Sequence, residues 1–345
     1  MKNNERYWDC LNQAMEASHG GRSDEALAWL DEALRAHPQG AEAHNGRGEI
    51  LWDAGSVDEA LYEFERALQA DPKFVTSYLN RIELLVEDLG EFERAVKLCD
   101  ELLRGDPALP RLDKGIEGEV HYLKAKAVFY GDDLEGALFL VRRALKTTGD
   151  VGIYRSFEGQ LLFELGRFEE ARRCLDAAVA MDPDAGHAVY HLALVLERLD
   201  AAEEAGRAFV KANALDPDRY PLPVEVDEQF FREVAGEAFE NLPRSIRDYV
   251  EEVPILVEDW PSPDVLSGEN VSPQILGIYI GTPRTAASVT AQDEGVTRVV
   301  LFKRNLEKIC RDRNDLVEQI QITVRHEIGH HLGLSEEDLD RLGLA

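Results

Sequence analysis

Positive charge is what this chain lacks most. Its 345 residues carry 38 lysines and arginines against 67 aspartates and glutamates, a formal net charge of -29. The excess acid runs through both halves, so it is a property of the surface and not of a tail. Such a field repels phosphate backbones and anionic lipid, which excludes nucleic-acid and membrane-surface roles. Long apolar runs are absent too: no uncharged stretch approaches the length of a membrane span, and the opening Met1–Arg6 is polar with no apolar run behind it. Cysteine is sparse. Cys10, Cys99, Cys174 and Cys310 are far apart with no C-x-x-C pair, as expected of reduced, mostly buried thiols in a cytoplasmic protein. Methionine is rarer still, and none follows Met181.

Hydrophobic residues are not lacking. At 44% they suffice for two or three compact units, and their spacing shows how they are used. From residue 7 to 219 the chain repeats, with an alanine followed twelve residues later by a proline: Ala26/Pro38, Ala60/Pro72, Ala95/Pro107, Ala171/Pro183 and Ala205/Pro217. A further unit has Ala137 and, in place of proline, Gly149. Successive alanines are 34, 35, 42, 34 and 34 residues apart, the long step holding an insertion near 108–117. A second small residue recurs at Ala33, Ala67, Ala144, Ala178 and Ala212, and a glycine precedes most units at Gly21, Gly55, Gly90, Gly131 and Gly166. Each unit therefore reads as helix, tight turn and helix, with alanines where helices approach closely and proline blocking propagation. Phrases such as "SVDEALYEFERALQADP" and "RFEEARRCLDAAVAMDP" resemble tetratricopeptide repeats, about six of them. The resemblance implies an α-solenoid over 1–219 whose groove binds protein or peptide, with Trp52, Tyr122, Lys126, Phe129, Gln160, Tyr190 and Glu197 at groove positions. Glu42, Asn45 and Glu49 on one inner face oppose a lysine-based carboxylate clamp and favour a basic or apolar ligand.

The prolines of "DPDRYPLPVEVD" end the periodicity, leaving a second segment, 220–345, of α+β character. Helices are expected at 227–239 and 245–250, strands at 253–257, 275–280 and 298–302, and loops at 260–274 and 281–295.

Near the end stand His326-Glu327-Ile328-Gly329-His330-His331-Leu332-Gly333. Histidines four apart share a helix face, so both imidazoles can bind one metal ion. A glutamate after the first histidine is placed to act as general base on a metal-activated water, the H-E-x-x-H arrangement of zinc hydrolases. Leu316, Ile320, Val324, Ile328 and Leu332 form the packed row of this helix, and Ile322, His326 and His330 the row facing a cleft. Asp315 is placed to cap the helix at its start, and Gly333 at its end. Glu336, Glu337 and Asp338 follow closely enough for one to fold back as third ligand. His187 and His191 are also four apart, but with no glutamate between them and no third ligand nearby.

The stretch from about 230 to 345 resembles the minimal zincin-like metallopeptidase family of bacteria, through "LPRSIRDYVEEVPILVEDWP", "LGIYIGTP", "VVLFKRNLEKIC" and "TVRHEIGHHLGLSEEDLDRLG". The resemblance implies zinc held by His326, His330 and Glu336, with Glu327 catalytic. The missing methionine turn and the nine residues after Glu336 set it apart from full metzincins. The expected function is peptide-bond hydrolysis on substrates recruited by the repeats. The competing expectation is a repeat adaptor whose zincin domain is structural or only weakly active.

Overall fold

In the computed structural model, residues 2–242, 244, 246–247, 253–268, 271–281 and 297–334 are described. The chain forms two compact units, Met1–Leu161 and Leu162–Ala345. The N-terminal region is a solenoid of helical hairpins: α1 (Lys2–His19) with α2 (Ser23–Ala36), α3 (Ala41–Asp53) with α4 (Val57–Ala70), α5 (Val75–Glu87) with α6 (Phe92–Leu103), and α7 (Lys114–Tyr130) with α8 (Leu134–Thr148). Next come α9 (Gly152–Glu164), α10 (Phe168–Met181), α11 (Gly186–Arg198) and α12 (Ala202–Leu215).

Small residues set this geometry. Ala26, Ala60, Ala95, Ala137, Ala171 and Ala205 are all buried, as are Ala33, Ala67, Ala144, Ala178 and Ala212. Only a methyl group fits where the paired helices touch. The hairpin turns need one residue in the left-handed region, which Gly21, Gly55, Gly90 and Gly166 supply. In the fourth hairpin that residue is Asp132 at φ 64° and not Gly131, and in the sixth it is Asp200 at φ 58°. Aspartate tolerates this conformation better than most side chains do, so the turn survives one residue out of the expected register. The next amide bonds back across the turn, Asp133 N to Val128 O and Ala201 N to Leu196 O. The long step in the repeat is absorbed by the stretch before α7 and by that helix's 17 residues, capped by Asp113. Cys99 is fully buried beside Ile82 and Val120, and burial pushes its thiol up to about 12. It packs and does not react.

In the C-terminal unit the chain leaves α12 through an extended linker. Tyr220 stacks on Tyr190 with ring centroids 5.2 Å apart, and Val224 and Val226 donate backbone N–H groups to Glu307. Helix α13 (Glu228–Glu240) follows, capped by Asp227. A three-stranded sheet has the order β1 (Ile255–Glu258), β3 (Arg298–Phe302), β2 (Gly277–Ile280). Strand β1 runs parallel to β3 with Leu256 opposite Val300, and β2 antiparallel with Ile278 opposite the same residue. Val299 and Leu301 join a core with Phe231 and Val234 of α13 and with Leu316, Ile320, Val324 and Ile328. Val300 and Phe302, pointing the other way, are equally buried, as befits a central strand.

The 260–274 stretch, read from sequence as a loop, contains the short helix α14 (Pro263–Leu266), capped by Ser262 with proline at its start. A seven-residue helix, α15 (Lys303–Ile309), follows β3 directly, and α16 (Arg313–His331) carries the histidine motif. Its cap is Asp312, two residues after α15's C-cap, and not Asp315. The Asp312 carboxylate accepts from Asn314 N and Asp315 N, while Asp315 accepts from Arg311 N. Both acids serve the same helix start, with roles exchanged. Most of the helix expected at 245–250 and most of the 281–295 loop lie outside the described residues; the described 246–247 are helical. No helix among the described residues is long and apolar enough to cross a membrane.

Candidate metal centre

The site is built on α16. Its i, i+4 row is buried as the spacing requires: Leu316, Ile320 and Val324 at 0% exposure and Ile328 at 1%. That row fixes the rotation of the helix, and the rotation turns His326 and His330 to the adjacent, partly open face. Their Nε2 atoms lie 3.0 Å apart, with ring planes at 82°. Two imidazoles on one tetrahedral zinc at about 2.0–2.1 Å place their nitrogens roughly 3.3 Å apart. The pair is thus nearly at metal-binding separation, and its nitrogen donors suit zinc.

Glu327 is 8% exposed and turns toward the sheet. A Cβ at Gly277, the first residue of β2, would stand 3.2 Å from Glu327 Cγ and 2.8 Å from Thr323 Cγ2. Only glycine lets β2 run so close to the motif. Thr323 in turn donates its hydroxyl to Gln319 O at 2.8 Å, which holds its methyl toward the strand. Neither Gly277 nor Thr323 was singled out from the sequence, although Gly277 lies inside the "LGIYIGTP" landmark. A glycine opening a strand that abuts a motif helix was the available signal.

The helix stops where the sequence says it should. Gly333 has φ 78°, its N–H reaches His330 O, and Leu334 N reaches Gly329 O. This pair of bonds turns the chain directly beyond the second histidine. Glu336, Glu337 and Asp338 lie outside the described residues, as does the side chain of His331. Among the described residues no group of three histidine, cysteine, aspartate or glutamate side chains forms a metal cluster, so His326 and His330 are the two candidate ligands brought together.

The second histidine pair has a different character. His191 Nδ1 lies 3.0 Å from the His187 carbonyl, and burial lowers the His191 pKa to about 4. It is a neutral core histidine bonded to its own helix.

Several expected groove positions turn out to be engaged within the chain. Trp52 donates to Asp88, Tyr122 stacks on Tyr154 at 4.6 Å, Lys126 pairs with Glu87, and Phe129 meets Phe157 edge-on. Glu197 accepts from Lys308 Nζ at 2.8 Å, and that ammonium also sits 4.0 Å from the ring centroid of Trp260. Arg198 lies over the same Trp260 ring and over that of Phe168, and donates to Pro261 O. In the N-terminal unit, Met15, Glu42, Glu49, Trp52 and Asp53 line a cavity of about 600 Å³.

Comparison with known proteins agrees with both parts. Residues 250–344 match the family model described as zincin-like metallopeptidase, and residues 11–73 and 158–219 match that of the tetratricopeptide repeat. No curated protein matches the chain in sequence. Among solved structures, PilF of Pseudomonas aeruginosa is similar at 15% identity and TM-score 0.54, covering 63% of this chain and 95% of that one. PilW, a type IV pilus biogenesis factor, is similar at 16% identity and TM-score 0.54, covering 61% and 94%. At such identities these likenesses concern the fold of the repeats alone. The chain thus joins helical repeats similar to tetratricopeptide repeats to a segment similar to the zincin-like metallopeptidases.

Proposed function

We propose that the chain is a zinc-dependent peptidase, with its chemistry in residues 220–345 and with residues 1–219 recruiting a protein substrate. The observation that carries this reading is the convergence of two imidazole nitrogens at 3.0 Å, beside a buried Glu327 on the same helix. A zinc site with a purely structural role has no use for that glutamate.

His326 and His330 would hold the metal, with Glu336 as third ligand and Glu337 or Asp338 next in reach along the chain. When bound, zinc supplies Lewis acidity and brings the pKa of a water toward neutrality. Glu327 takes a proton from the attacking water and returns it to the leaving amine. Its burial against β2 keeps bulk water from competing for that proton. Strand β2 stands at the edge of the described sheet, so an extended peptide can add beside it through backbone hydrogen bonds and lie along the site. On the recruiting side, Glu42, Glu49 and Asp53 around Met15 and Trp52 favour a basic or apolar segment.

Metal analysis tests the reading. The expected result is about one zinc per chain, lost in His330→Ala, together with chelator-sensitive cleavage of unfolded protein. A native protein that takes up no zinc contradicts it, and zinc without cleavage leaves the adaptor reading in its place.

A further inference from the structure

The segment leading into β2 is gripped from two sides, and one grip comes from the repeats. Glu164, the last residue of α9, accepts from Ser272 Oγ at 2.6 Å through Oε2 and from Gln274 Nε2 at 2.7 Å through Oε1. Both carboxylate oxygens are thus committed to this one segment. Opposite them, buried Asn305 of α15 donates through Nδ2 to Pro273 O and Ile275 O, each at 2.8 Å. Phe302 N then donates to Leu276 O at 2.8 Å, and the next residue is Gly277, which rests on Thr323 and Glu327. Three peptide units separate the Glu164 grip on Gln274 from the strand's contact with the proposed general base. The start of the same connection is held by α11, where Arg198 donates to Pro261 O, and the neighbouring Glu197 accepts from Lys308 of α15.

We infer that Glu164 is a positioning residue: the terminal repeats hold the 272–276 segment through it and so set edge strand β2 against Glu327. Part of the solenoid is thereby built into the catalytic unit. The inference deepens the peptidase reading and rests on it for its consequence, though the brace itself is a structural claim that can be tested alone. A short segment with two alternating sets of hydrogen-bond partners has little freedom. Removing one set lets it swing about Asn305, and the first residues of β2 move with it.

Hydrogen exchange in Glu164→Ala, with Glu169→Ala as an exposed control on α10, tests the inference on the full chain. Exchange over Ile275–Ile280 should rise roughly ten-fold or more in Glu164→Ala, while α10–α12 keep their protection. Glu164→Gln retains an acceptor oxygen and should fall between the two. Unchanged exchange at Gly277–Ile280 overturns the inference, as does an equal rise across α10–α12, which would mark general loss of stability. This readout needs neither metal nor substrate, so an inactive protein leaves it decidable while removing the peptidase reading. In an active protein, kcat/KM on unfolded casein should fall roughly ten-fold in Glu164→Ala, and an unchanged kcat/KM overturns the positioning role.

Discussion

Replacing Gly277 with alanine puts a methyl group 2.8 Å from Thr323 Cγ2, 3.2 Å from Glu327 Cγ and 3.3 Å from Val300 O. The first distance is shorter than side chains tolerate, and Thr323 is poorly able to yield. Its χ1 is restricted by β-branching and by the bond from Oγ1 to Gln319 O. Overpacking of this kind costs about 1–3 kcal/mol. Alanine offsets roughly 0.5–1 kcal/mol of that by stiffening the unfolded chain. The net destabilisation should be about 1–2 kcal/mol. Thr323→Ser deletes the offending methyl while keeping the hydroxyl, at a cost of about 1 kcal/mol for a buried methyl. If the clash is the cause, the double variant should be no less stable than Gly277→Ala alone, a coupling of about 1 kcal/mol or more. Urea unfolding of all four proteins supplies the cycle. Additive single effects, or a neutral Gly277→Ala, would refute the claim that β2 is seated by absence of a side chain. Zinc affinity measured on the same set should fall in Gly277→Ala, because α16 must shift to relieve the contact.

Two further outcomes follow from buried titratable groups. His191 has its folded pKa lowered to about 4 by burial, so its neutral form stabilises the fold above the ordinary value near 6.5, and that contribution is lost as pH falls through about 4. The linked free energy is about 3 kcal/mol, and the fall in stability between pH 7 and pH 4 should be smaller by that amount in His191→Phe. An identical pH profile in the variant would contradict it. Glu307 is fully buried, accepts from Lys303 Nζ at 2.7 Å and also receives Val226 N. Glu307→Ala should cost about 3–5 kcal/mol by stranding Lys303, whereas Glu307→Leu with Lys303→Met should recover much of it, read by thermal unfolding. Equal losses in the single and double variants would show that the backbone contact, not the charge, is what counts.

The repeats were legible because their signal is periodic: alanines that must be small, prolines that must end helices, and glycines that must turn. Where a register slipped by one, at Asp132, the turn chemistry tolerates a second residue type, and spacing alone does not say which position bends. The rotation of α16 and the placing of both histidines followed from the apolar row, since burying Leu316, Ile320, Val324 and Ile328 leaves one orientation. The helix cap was misread because Asp312 and Asp315 both suit a helix start, and the choice depends on where α15 ends. Glu164, Asn305 and Gly277 escaped notice, and Glu197 was assigned to the groove, for a common reason. Each works through a partner remote in sequence, with Glu164 and Ser272 separated by 108 positions, and no local pattern reports such a pair.

The most direct test of the central claim is turnover of an unfolded protein by Glu327→Gln, measured alongside its zinc content. The account predicts about one zinc per chain, as in the parent protein, with hydrolysis reduced at least ~100-fold by loss of the proton acceptor. Parent-like turnover in the zinc-loaded variant would contradict it, because the residue assigned the proton transfer would then be dispensable.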